Sequence, residues 1–189
     1  MNGLSKYYIK KLITCFADEM TATETARKLK VNRNTVNKYF RIIREAIADY
    51  QQLQVSMQLH SSNKQIVPFY WHKSTGISML NDSESAIFYI VTINKNAYVE
   101  QEQDAHKNES LLGINPQIAT KYGDLAQSFF IYTKDKLTKF YGVKEEYTYL
   151  YLKELEFRFN NREKEIAKLI WRILPHHSAE WVKTTRFRK

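Results

Sequence analysis

Six side chains in one short stretch, Arg33, Asn34, Thr35, Asn37, Lys38 and Arg41, have the chemistry that duplex DNA selects for. Arginine pairs bidentately with guanine in the major groove, and asparagine does the same with adenine. Lysine and threonine reach phosphate oxygens, which fix position rather than sequence. If the stretch is a helix, Val36, Phe40, Ile43 and Ile47 recur at three- and four-residue intervals and form an apolar stripe. The six polar residues then share the opposite face.

A helix that reads bases needs a second helix to hold it. Thr21–Ala48 supplies both in the pattern of a helix-turn-helix. Ala26 is the small residue on the first helix that permits close packing. Thr25, Leu29, Val31, Val36 and Tyr39 fall where such a motif buries side chains. Asn32 stands just before the second helix and can cap it through a backbone N–H about one turn on. Lys30 occupies the turn position that usually holds glycine. A left-handed backbone there costs a non-glycine residue about 1 kcal/mol, so the turn tolerates the strain or differs slightly in shape. The plainer alternative is a small helical bundle with a solvated basic face.

The chain has 189 residues, enough for one or two domains with a real core. Its 29 Lys and Arg against 20 Asp and Glu give a formal +9, which favours a polyanionic partner. Cys15 is the only cysteine, which excludes an intramolecular disulfide and a cysteine-based zinc ribbon and fits a reducing compartment. No apolar run reaches the roughly 18 residues of a membrane span. The opening MNGLSKYYIKKLITCF is amphipathic with interspersed charge, unlike a signal peptide. Together these features predict a cytoplasmic, nucleoid-associated protein with no membrane contact.

Three helices are expected at the front. In the first, over 5–18, Leu4, Tyr8, Leu12 and Phe16 form the core face, with Cys15 a buried apolar group beside them. The third continues to about Leu53. Residues 1–53 then make a DNA-binding domain, and the polar run from Gln54 to Lys64 makes a linker. Residues 65–175 make the second domain. Strands are expected at 65–71, where Pro68 points to an edge or a bulge, at 76–80, and at SAIFYIVTI over 85–93. The turn Asn94-Lys95-Asn96 leads to a hairpin partner at 97–101, and 111–114 is a short buried strand. Helices follow over 124–141, 144–160 and 162–174. The last carries Ile166, Leu169, Ile170 and Ile173 as its stripe and is stopped by Pro175. The basic tail 176–189 could grip phosphates, fold back or stay loose. His176 and His177 are adjacent and so diverge on a helix, a poor metal pair.

Two blocks carry a family resemblance. LSKYYIKKLITCF with RNTVNKYFRIIREAI, and LAQSFFIYTKDKLTKFYGVKEEYTYLYLKELEFRFNNR over Leu125–Arg162, resemble the two ends of small bacterial insertion-sequence transposases. That group joins a helix-turn-helix to a ribonuclease-H-like DDE nuclease. The resemblance implies an α+β chain: a three-helix DNA-binding domain, then a reduced ribonuclease-H-like mixed sheet with C-terminal helices. The family's three metal-binding acids match Asn81, Asn115 and Gln127, all uncharged here. Far fewer residues separate Asn115 from Gln127 than in the family, so a block of the nuclease domain is missing.

Strand transfer by this family uses two divalent metals held by carboxylates, and Mg²⁺ demands hard, charged oxygens. Asn and Gln keep the shape and lose the charge. The resemblance therefore implies a transposase-derived DNA-binding protein with a dead nuclease and no cofactor, acting as a regulator or architectural factor. Gln127 has a structural alternative, since Asp124-Leu125-Ala126-Gln127 has capping-box spacing. Lys134, seven residues on, shares its helix face, and the resemblance implies contact with DNA backbone there; a solvated lysine is the alternative. Two other readings stay open. One is an active Mg²⁺-dependent DDE transposase using other acids, such as Asp82, Asp104 and Asp124 or Glu145. The other is a structural subunit that kept the fold. The expected partners are double-stranded DNA and a second copy of the chain, since one motif reads only a short half-site.

Overall fold

The computed structural model describes residues 4–58, 64–72, 75–82, 87–94, 145–178 and 181, with short helical pieces at 128–129, 131–133 and 135–136. The named elements are α1 (Lys6–Ala17), α2 (Ala22–Leu29), α3 (Arg33–Gln58), β1 (Lys64–His72), β2 (Thr75–Asp82), β3 (Ile87–Asn94), α4 (Glu145–Asn160) and α5 (Ile166–His177). They fall into two compact units. The first comprises Met1–Gln51 and Asn161–Lys189, the second Gln52–Asn160.

In the first unit α1 buries Ile9, Leu12, Ile13, Cys15 and Phe16. Tyr8, expected in that core, is 39% exposed. Leu12 and Phe16, the other two members of that repeat within α1, are buried as expected. Ile9 takes Tyr8's place. The α3 stripe holds as expected, with Val36, Phe40, Ile43 and Ile47 all buried, and Phe16 meets Phe40 edge-on at 5.0 Å. α5 packs against α1 and buries Ile170, Ile173 and Leu174. Residues 161–178 and Trp181 therefore belong with the front helices rather than with the rear domain. Pro175 does not stop α5, which runs two residues past it. It sits in the last turn, where a proline removes only one helical N–H. Beyond it Trp181 is buried, edge-on to Trp171 at 6.1 Å, so this part of the tail folds back.

The turn between α2 and α3 bears on stability. Lys30 adopts φ 53°, ψ 43°, the left-handed region that sequence spacing assigned to a glycine. Its N–H and that of Val31 both donate to the Ala26 carbonyl, closing the end of α2. Lys30→Gly should therefore stabilise the protein by about 0.5–1 kcal/mol. Denaturant titration reads this directly, and a midpoint that falls or stays put would contradict it.

In the second unit the expectation of a ribonuclease-H-like α+β fold is corrected. Among the described residues no mixed sheet is present. The strands form only an antiparallel meander in the order β1-β2-β3. Short β-rich runs joined by short loops make hairpins, whereas parallel pairing needs a long crossover, and none is described. Pro68 lies on β1, an edge strand of this meander, as a proline without an N–H requires. The strand expected at 111–114 and the hairpin partner at 97–101 lie outside the described residues.

α4 packs against β3 and is buried from Leu152 to Phe159. The charged residues of that stretch, Lys153, Glu154, Glu156 and Arg158, are inside too. The ammonium of Lys153 meets the Glu156 carboxylate at 2.9 Å, and Arg158 meets Glu154 at 2.8 Å. Spacings of three and four residues put each pair on one side of the helix. Burial first, and then the Glu156 charge, push the Tyr149 phenol above its ordinary value. Phe159 stacks edge-on with Phe129 at 4.9 Å, tying α4 to the helical pieces before it.

Candidate nucleic-acid interface

The site is assembled from α2, its turn and the first half of α3. α2 opens on a capping box. The Glu24 N–H donates to Thr21 Oγ1 at 3.2 Å, and the Thr21 N–H donates to Glu24 Oε2 at 2.8 Å. Hydrogen bonds from the Thr21 hydroxyl and backbone hold the Glu24 carboxyl below its ordinary value. The Thr-x-x-Glu spacing is plain in the sequence and marks the start of α2, although the charged face of α3 is the louder signal. Leu29 and Thr25 are buried beneath the turn, as expected, while Ala26 and Val31 are half-buried.

α3 begins after Asn32, whose Oδ1 accepts the Asn34 N–H at 2.7 Å. This is the cap that the sequence indicates, and it sets the phase of everything downstream. Val36, Tyr39 and Phe40 turn inward. Arg33, Asn34, Asn37, Lys38 and Arg41 stand exposed; Thr35 is half-buried and lies at the edge of that face. Arg33, Asn37 and Arg41 are four residues apart and so form a single ridge. At 1.5 Å per residue the ridge is about 12 Å long, similar to the width of the major groove. Arg41 also forms an exposed pair with Glu45 at 3.4 Å. A pair this open to water contributes little and can be exchanged for a phosphate.

Two further contacts hold the ridge in place. The Leu4 N–H donates to the Tyr39 hydroxyl at 3.3 Å, fixing the start of α1 beside α3. Arg44 lies 5.3 Å from the Phe16 ring and 6.0 Å from that of Phe40, at the α1–α3 seam. Farther along α3, Asp49 meets His177 Nδ1 at 2.6 Å, and the His177 ring packs edge-on to Tyr50. His177 thus ties α5 to α3, a role that its position next to His176 does not suggest.

The other candidate residues are not brought together here. Asn81 is on β2, in register with Gln65 on β1 and Phe88 on β3. Asn115, Gln127 and Lys134 lie outside the described residues, as does the capping box at 124–127. The three positions carry no carboxylate and do not fit Mg²⁺, so no chemical step is derived through that ion. Among the described residues no group of three His, Cys, Asp or Glu side chains is placed to hold a metal. None of the described helices is long and apolar enough to cross a membrane. No family model, curated protein or solved structure matches this chain.

Proposed function

We propose that the chain is a DNA-binding protein that reads duplex DNA with the first half of α3. The observation that carries this is the ridge Arg33–Asn37–Arg41, exposed on a helix whose other face is locked into a core by Val36 and Phe40. A merely solvated face would not need base-reading residue types aligned at one-turn spacing on a capped, rigid helix. The resemblance to insertion-sequence transposases favours descent from such a protein. We read the chain as a regulator or an architectural factor in the nucleoid. A single α3 covers only a few base pairs, so the working species is a homodimer on paired half-sites.

Replacing Arg33 or Asn37 with Ala should cost about 1–3 kcal/mol at a preferred duplex and relax preference at one or two base pairs. Fluorescence anisotropy against that duplex and its single-base variants separates the outcomes. Equal loss on every sequence would make these residues phosphate contacts, and no loss would remove α3 from the interface.

A further inference from the structure

The positive charge of the chain is not spread evenly. The first unit holds 18 Lys and Arg against 8 Asp and Glu, a formal +10, whereas the second holds 11 against 12, or −1. The ridge on α3 accounts for only part of that excess. α1 and α5, which pack on each other, contain Lys6, Lys10, Lys11, Lys168 and Arg172 and no acidic residue at all. All five are exposed. A helix face kept merely soluble mixes the two signs, whereas α1 and α5 themselves carry only the positive one.

We propose that the seam of α1 and α5 is a second DNA surface, which holds the phosphates flanking the base pairs that α3 reads. It rests on that reading of α3. Lys6 and Lys10 on α1, and Lys168 and Arg172 on α5, are each one helical turn apart and form two short rows of cations. The rows meet where the Lys10 ammonium lies 5.7 Å from the centre of the Trp171 ring. A ring orients an ammonium without cancelling its charge, as a carboxylate would. Lys168 is the exception, paired with Glu165 at 2.6 Å in the open. The hydrogen bond from Leu4 to Tyr39 fixes the start of α1 against the inner side of α3, so these cations belong to the same unit as the reading helix. Nothing among these residues reads bases. The surface adds affinity without sequence preference and lengthens the footprint on a single duplex.

The test is a salt titration of binding to two mixed-sequence duplexes, about 12 and about 40 base pairs long, because each phosphate contact adds about 0.9 to the slope of log affinity against log salt. The parent protein should show the steeper slope on the long duplex. A Lys6→Gln, Lys10→Gln, Arg172→Gln variant should lose about 2–3 of that slope on the long duplex and little on the short one. Glutamine keeps the helix propensity, and thermal melting checks the fold. If the triple variant melts early, Lys6→Gln and Arg172→Gln singly should each lose about 0.9. An unchanged slope on the long duplex overturns this surface and leaves the reading of α3 intact. Equal losses on both duplexes place the cations inside the α3 footprint and overturn the flanking role. A parent that binds neither duplex at low salt removes both readings together.

Discussion

Val36→Asp should unfold the first unit. Val36 is fully buried on the inner face of α3, one turn from Phe40. An aspartate there must be desolvated or protonated, at a cost of several kcal/mol. Small domains are stable by only about 5–15 kcal/mol, so a loss of this size removes most of the margin. Circular dichroism should show a large fall in helix content and the loss of the cooperative melt of the front helices. Val36→Ile, which keeps the apolar surface, should melt close to the parent. The pair of variants also fixes the phase of α3. If Val36→Asp melted normally, Val36 would face solvent and the ridge of Arg33, Asn37 and Arg41 would be turned into the core.

The second large effect belongs to α4. Glu156→Ala should cost about 3–5 kcal/mol, because it strands the Lys153 ammonium in a site where both partners are fully buried. The double change Lys153→Met, Glu156→Leu should recover most of that loss, since a buried ion pair replaced by apolar groups of similar size is often neutral. Denaturant unfolding of the two single variants and the double variant gives the coupling between them. A loss below about 1 kcal/mol in Glu156→Ala would mean that water reaches the pair and that α4 is not buried on that side.

These two helices show what the sequence could and could not reveal. The phase of α3 was legible because a cap at Asn32 and four apolar residues at helical spacing agree on one inner face. α1 was misjudged at one residue, since Tyr8 lies on the same side as the buried Leu12 and Phe16 yet is partly exposed, and local spacing does not say which part of a stripe is covered. The charges of α4 look like solvent-facing residues in sequence, because a lysine, two glutamates and an arginine are rarely all buried. They are inside because each neutralises another three or four positions away. The return of α5 to α1 is a long-range contact that no local pattern encodes. Its apolar stripe says that it must pack, and not on what. The correction to the rear fold has a similar cause. β-rich runs announce strands, but the pairing that would distinguish a mixed sheet from a meander lies in connections that composition does not specify. The exposed face of α3 was named residue by residue from sequence, although Thr35, one of the six, is half-buried at its edge.

The most direct test of α3 as a DNA reader is selection of bound duplexes from a random pool, run in parallel on the parent protein and on Asn37→Ala, with and without Mg²⁺. The parent should enrich a short motif repeated as two half-sites, recovered uncut under both conditions. Asn37→Ala should enrich the same motif with at least one base pair no longer specified. A parent pool that stays random, or one whose motif is unaltered by Asn37→Ala, would contradict the account.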